Sequence, residues 1–225
     1  MTDQTARLTW RETDRGDVPV STAFDDPYFS LVGGRAETEH VFLAGNDLPN
    51  LFRDGFHIAE LGFGTGLNFL TALAAWRAAR VPGQLHFTSF EAFPLAPADL
   101  SRALAAHPDL PTETLTAAKE ATHVVGADFT LTVLIGDARD VVPKWTGKAD
   151  AWFLDGFSPA KNPELWETSL MQAVADHTAP GGSFATYTAA GFVRRALAES
   201  GFTVERWPGF GRKRHMTRGV LTARG

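Results

Sequence analysis

Three glycines stand at alternate positions in Glu60-Leu61-Gly62-Phe63-Gly64-Thr65-Gly66-Leu67, between an apolar run that reads as a strand and an Ala/Leu-rich run that reads as a helix. Such spacing lets the backbone turn sharply and approach a ligand where side chains would collide. A dinucleotide fingerprint would need glycine at position 67, where Leu67 stands, and no Gly-Lys-Ser/Thr follows to make a Walker loop. Three more apolar runs end in carboxylates, at Glu91, Asp137 and Asp155, and a carboxylate can accept several hydrogen bonds or a proton. The last opens the loop Asp155-Gly156-Phe157-Ser158-Pro159-Ala160-Lys161-Asn162-Pro163. Cysteine is absent, which excludes a thiolate zinc site, an iron–sulfur cluster, a disulfide framework and a cysteine nucleophile. The seven histidines show neither HxH nor HExxH spacing, so no metal site is expected.

These groups need elements to hold them. From Phe56 onward strand and helix patterns alternate: strands over 56–60, 85–90, 129–135, 149–154, 183–187, 202–206 and 219–222, and helices over 67–80, 98–107, 112–123, 162–177 and 192–200. Asn162-Pro163 reads as an N-cap with proline at the first helical position. Alternation implies βαβ units and a mostly parallel sheet covered on both faces. In such a sheet the ligand crevice lies beyond the carboxyl ends of the strands, which puts Glu60, Glu91, Asp137 and Asp155 along one edge. Residues 1–50 form an N-terminal elaboration, with short β-like pieces such as Val41-Phe42-Leu43 broken by turns, and residues 51–225 form one compact unit.

With 225 residues, 44% hydrophobic and 21% charged, the chain has the composition of a single soluble globule. No apolar run approaches a membrane span and the first 15 residues are too polar for a signal peptide, so a cytoplasmic protein is expected. The net charge of -5 hides an asymmetry: from Gly191 onward eight Lys or Arg face two acids, a local +6 that leaves -11 on the rest. An acidic body with a basic end suits a polyanion held on one side.

The glycine loop, with an acid two residues before its first glycine, resembles the first motif of class I S-adenosylmethionine-dependent methyltransferases. The resemblance implies a Rossmann-like α/β fold with a mostly parallel seven-stranded sheet, helices on both faces, and S-adenosylmethionine bound by Glu60, Gly62, Gly64, Gly66 and Asn68. Glu91 is expected on the ribose hydroxyls, Asp137 and Ala138 at the adenine, Tyr28 as a cover, and Phe157 stacked on adenine or on a base. The Asp155 loop resembles the site with which amino-group methyltransferases hold a nitrogen before the sulfonium. An ammonium must lose a proton before it can attack, and Asp155 is the candidate to take it.

Longer segments are more discriminating. FDDPYFS (24–30), ELGFGTGLNFL (60–70), DAWFLDGFSPAKNP (150–163), AGFVRR (190–195) and GFGRKRHM (209–216) resemble the methyltransferase domain of the bifunctional tRNA 5-methylaminomethyl-2-thiouridine biosynthesis enzymes. The likeness covers nearly the whole chain. It implies methylation of the 5-aminomethyl group of a wobble uridine, with Asp155 beside the reacting amine and the tRNA anticodon stem-loop as partner. With no second nucleotide-binding loop before Gly225, the stand-alone form is expected, with neither flavin nor carboxymethyl-removing activity. Lys161, Arg194, Arg195, Phe210, Arg212, Lys213 and Arg214 are the expected tRNA contacts, with the three consecutive cations on phosphates rather than in the cofactor pocket. Two rivals are a methyltransferase of a free small amine, against which the basic end speaks, and a non-catalytic RNA-binding module, against which the intact acids and glycines speak.

Overall fold

The computed structural model describes residues 5–14, 16–30, 33–117 and 122–222. At the N-terminus, β1 (Leu8–Thr13), β2 (Gly16–Ser21) and the two-residue β3 (Asp26–Pro27) pair antiparallel as a small sheet. There follow α1 (Gly34–Thr38) and a wide, π-helical turn over Glu39–Leu43. The main body then runs β4 (His57–Leu61), α2 (Leu67–Ala79), β5 (Leu85–Glu91), α3 (Pro97–Leu104), α4 (Glu113–Thr116), β6 (His123–Val125), β7 (Phe129–Ile135), α5 (Ala138–Val141) and β8 (Ala149–Leu154). It closes with α6 (Thr168–Asp176), β9 (Thr178–Thr186), α7 (Gly191–Glu199), β10 (Phe202–Pro208) and β11 (His215–Leu221).

The central sheet has the order β10-β11-β9-β8-β4-β5-β7-β6. The five strands from β9 to β7 run parallel, β11 and β6 run against them, and β10, antiparallel to β11, runs with them again. The expected seven strands are therefore joined by an eighth, the short β6. The chain first builds outward from β4 through β5 to β7 and then returns to the other side of β4 with β8. That reversal opens a crevice past the carboxyl ends of β4, β5 and β8, where a ligand belongs.

Burial on both faces explains why the parallel strands read as nearly continuous apolar runs. Ile58, Phe87 and Phe153 face one core with Phe69, Leu73 and Trp76 of α2; Ala59, Leu61, Phe90 and Trp152 face the other with Leu170, Val174 and Leu197. The N-terminal segment is stitched into this body. Asn46, buried, donates to the carbonyls of Phe42 (2.9 Å) and Trp152 (3.3 Å) and accepts from Ser183 Oγ (2.6 Å).

Several elements depart from expectation. Val41-Phe42-Leu43 is helical rather than β-like, because all three side chains are needed in the first core. The helix expected over 112–123 stops at Thr116, residues 118–121 lie outside the described part, and His123 already belongs to β6. The segment after Asn162 is a short 3-10 turn over Pro163–Trp166, broken at Glu167 by an extended ψ of 149° before α6; Asn162 makes no side-chain cap. The β9 strand includes Pro180-Gly181-Gly182 by slipping its pairing with β8, from Ala149 opposite Thr178 to Ala151 opposite Ser183. The last strand begins at His215, so the basic run becomes the tip of the β10–β11 hairpin. Arg224, counted in the basic end, lies outside the described residues.

Candidate active site

A cleft of about 720 Å³ opens at the carboxyl ends of the strands. Its back wall is the glycine loop. Gly62, Gly64 and Gly66 take φ of 81°, 54° and 71°, the left-handed region where L side chains are strained. A Cβ on Gly62 would come within 3.2 Å of Gly156 Cα, so the two cleft-lining loops touch backbone to backbone. Glu91 ends β5 on the opposite wall. Its carboxylate accepts from the Gly64 amide (2.8 Å) and the Phe93 amide (2.7 Å), and burial pushes its proton affinity up against those bonds.

Asp155 is set on the floor by a hydrogen-bonded chain. Asn68, at the first turn of α2, gives one amide hydrogen to Asp155 Oδ2 (2.7 Å) and one to Glu60 Oε1 (2.8 Å), and accepts from Thr38 Oγ1 (2.6 Å). With both hydrogens and its oxygen used, the Asn68 amide has one orientation. Glu60 also accepts from Ser89 Oγ (2.7 Å) and is fully buried, so its carboxyl is held well above the usual carboxylate range. Glu60 and Gly66 lie behind the wall rather than on it: Glu60 acts on the cleft through Asn68, and Gly66 packs against Leu115 and Phe63. Burial raises Asp155 from 3.8 to about 7, against the opposing bonds from Asn68 and the Gly156 backbone.

The loop after Asp155 is fixed from several sides. Tyr187 Oη donates to the Gly156 carbonyl (2.9 Å), Trp166 Nε1 to the Phe157 carbonyl (3.1 Å), and the Ser158 amide to Asp26 Oδ2 (2.9 Å). Phe157 stacks on Phe24 at 4.5 Å between ring centres and meets the edge of Tyr28 at 5.2 Å, so the N-terminal segment roofs the cleft with aromatic rings. Asp137 caps α5 by accepting from the Arg139 amide (2.9 Å), and its carboxylate is paired with the Arg139 guanidinium (2.6 Å), which lowers its proton affinity. Ala138 and Arg139 line the same wall.

The expected tRNA contacts divide. Lys161 bonds to the Asp25 carbonyl and lies 3.4 and 3.8 Å from the carboxylates of Asp25 and Asp26, so it ties the Asp155 loop to the roof rather than standing free. Lys213 stands apart from the two arginines beside it. It lines the cleft, with Nζ 2.8 Å from Glu37 Oε1 and 4.1 Å from the centre of the Tyr187 ring. Phe210 packs beside His40 at 5.9 Å and is half-buried against the first core. Arg212 and Arg214 are exposed at the hairpin tip, and Arg194 and Arg195 border a separate shallow depression on α7. Sequence reasoning missed Phe24, Asp26, Glu37, Thr38, Arg139 and Tyr187. Tyr187, just past the end of β9, was within reach of the strand-end rule; Glu37 and Thr38 come from a helix whose contact with α2 leaves no local signature.

Among the described residues no group of His, Asp and Glu could hold a metal ion, and no helix is long and apolar enough to cross a membrane. A family model described as S-adenosyl-L-methionine-dependent methyltransferase matches residues 103–222. The chain is 44% identical, over 98% of its length, to the tRNA 5-methylaminomethyl-2-thiouridine biosynthesis bifunctional protein MnmC of Chromobacterium violaceum. It is 47% identical, over 97%, to the protein of that name from Hahella chejuensis. It spans 35% and 37% of those two proteins, about a third of the curated relatives it matches. Among solved structures, MNMC2 from Aquifex aeolicus superposes with a TM-score of 0.79 at 27% identity, over 97% of this chain and 72% of that one. Spermidine synthase from Thermotoga maritima gives 0.54 at 12% identity over 96% and 72%, a likeness of fold alone.

Proposed function

We propose, because the chain belongs to the S-adenosyl-L-methionine-dependent methyltransferase family, that it methylates the 5-aminomethyl nitrogen of a wobble uridine in tRNA, with or without sulfur at position 2. The observation that carries the reading is Asp155: a carboxylate at about 7 on the floor of a cleft, in a chain 44–47% identical to bifunctional proteins named for that modified uridine.

The cleft fits the cofactor. Gly62 and Gly64 line it without side chains, Gly64 lies close under the Tyr28 ring, which a Cβ there would meet at 3.1 Å, and the acids Glu91, Asp137 and Asp155 stand at the strand ends facing it. Gly62, Gly64 and Asn68 would hold the methionine end, Glu91 the ribose, Asp137 and Ala138 the adenine, with Tyr28 and Phe157 as cover. When bound, the cofactor supplies a methyl group on a sulfonium, which accepts only an amine lone pair aligned with the bond that breaks. Asp155 frees that lone pair by taking a proton from the ammonium. An alkylamine is mostly ammonium at neutral pH, and a carboxylate near 7 takes its proton with less uphill cost than one near 4 would. Asn68 fixes the Asp155 carboxyl by holding its Oδ2.

In this reading residues 1–50 are an elaboration that roofs a methyltransferase unit over 51–225, the anticodon stem-loop is the partner, the setting is cytoplasmic, and neither flavin nor metal takes part. Arg194, Arg195, Arg212 and Arg214 serve phosphates, and Lys161 and Phe210 shape the tRNA-facing rim. Mass spectrometry of nucleosides from tRNA carrying 5-aminomethyluridine, before and after incubation with enzyme and cofactor, tests it: the expected gain is one methyl group. Asp155→Ala should bind cofactor nearly normally and turn over at least about a hundredfold more slowly. No gain of methyl with the wild-type chain would refute the reading, and near-normal single-turnover rates in Asp155→Ala would remove Asp155 from it.

A further inference from the structure

Lys213 differs from the cations beside it. All three are exposed at the hairpin tip, but the Lys213 side chain, 46% exposed, reaches the cleft rim with its ammonium 2.8 Å from Glu37 Oε1 and 4.1 Å from the centre of the Tyr187 ring. A carboxylate and an aromatic face together make a cage for an ammonium. The Tyr187 wall has an anchor separate from Lys213, and the Glu37 wall is mostly buried. The Glu37 side chain is only 17% exposed on α1, and the Tyr187 hydroxyl is anchored to the carbonyl of Gly156, next to Asp155.

We propose that Glu37 and the Tyr187 ring form the docking subsite for the ammonium of the acceptor, and that Lys213 fills it until tRNA phosphates engage the hairpin. This rests on the amine-methylating reading above. A lysine head and a protonated aminomethyl group are the same chemical object, a primary alkylammonium with three donors, so a cage that takes one takes the other. It does not take both, because two ammonium ions at contact distance repel. The lysine stem is flexible, its flanking arginines are placed for phosphates, and drawing the hairpin outward would empty the cage beside Asp155 at the moment an acceptor arrives. A free amine without phosphates has no such lever, which makes Lys213 a specificity-determining residue for tRNA over loose amines.

The test uses two acceptors, tRNA bearing 5-aminomethyluridine and the free 5-aminomethyluridine nucleoside. Lys213→Gln should raise kcat/KM for the nucleoside roughly tenfold or more, through KM, because one charge-assisted contact no longer competes, and should bring no such gain with tRNA. Glu37→Gln should lower kcat/KM roughly tenfold for both acceptors, again through KM, with cofactor affinity by calorimetry unchanged. A merely structural ion pair would move the two variants in the same direction on the nucleoside, and that result overturns the subsite. So does a nucleoside KM that Glu37→Gln leaves unaltered, or nucleoside turnover absent from both wild type and a folded Lys213→Gln. If the wild type fails to methylate tRNA at all, the amine-methylating reading falls instead, whereas tRNA methylation with parallel variant effects removes the subsite alone.

Discussion

Asn68 shares its two amide hydrogens between acids with different tasks, Glu60 buried behind the wall and Asp155 on the cleft floor. Both carboxyls are raised by burial, so the folded chain retains protons that the unfolded chain would release. For Asp155 the window is defined. Its folded value is about 7 against an ordinary 3.8, so its contribution to stability is intact below about pH 4, is lost as pH rises from 4 to 7, and is flat above. The loss accrues at up to about 1.4 kcal/mol per pH unit. Asp155→Asn carries no such ionisation and can still accept from Asn68. It is therefore expected to melt higher than the wild type at pH 8, with the difference shrinking to nothing near pH 4, while methylation is lost. Thermal melts of both proteins across this range check it, and equal melting at pH 8 would show that Asp155 ionises in the folded state as an ordinary surface acid does. The residue types and order of the four acids were legible in the sequence because each stands at or next to the carboxyl end of its own strand. Which of them reach the cleft was not, since Glu60 points to the core face of β4 and meets Asn68 through a side-chain direction that no spacing records.

The elements were legible wherever a local pattern decided them. Phe129–Ile135 and Ala149–Leu154 were read to the residue, and α2 to within one, because apolar runs bounded by glycine, proline or acids are local signals. Where tertiary packing decides, the reading failed: Val41-Phe42-Leu43 has strand-like residues but forms a helical turn because the first core needs all three. The glycine loop shows how an element becomes a binding wall. Gly64 combines a φ of 54° with a Cβ position 3.1 Å from Tyr28 and donates its amide to Glu91, so one residue sets loop path, cover and opposite wall. Gly64→Val should strain the loop and displace Tyr28, and Glu91→Ala should remove roughly 1.5–3 kcal/mol of charge-assisted bonding, about tenfold or more in cofactor affinity. Calorimetric titration with S-adenosylmethionine measures both, and unchanged affinity in the pair would empty this wall of its role.

At the scale of the whole molecule, the net charge of -5 is the sum of an acidic body and a basic edge formed by α7 and the β10–β11 hairpin. The fold recruits the cations of that edge for different ends. Arg218 is paired with Glu205 at 3.0 Å and stacks over Trp207, Lys213 reaches the cleft rim, and Arg212 and Arg214 remain exposed at the hairpin tip. A sequence count treats them alike because it cannot see that Glu37, far away on α1, lies opposite Lys213. In the proposed reading, Arg212 and Arg214 are therefore the first candidates of the run for phosphates. Removing one cation from a phosphate lowers the slope of log affinity against log salt by about 0.7–0.9. Replacing Arg212 and Arg214 together by alanine should flatten that slope by about 1.4–1.8 for every tRNA alike, because phosphates carry no sequence information, while cofactor affinity and melting temperature stay put. Adding Lys213→Ala to the pair should flatten the slope further only if its ammonium leaves Glu37 for a phosphate when tRNA binds. Affinities at several salt concentrations, measured beside melting curves, separate the two contributions, and a slope untouched in the well-folded double variant would reduce the hairpin tip to a solvated surface.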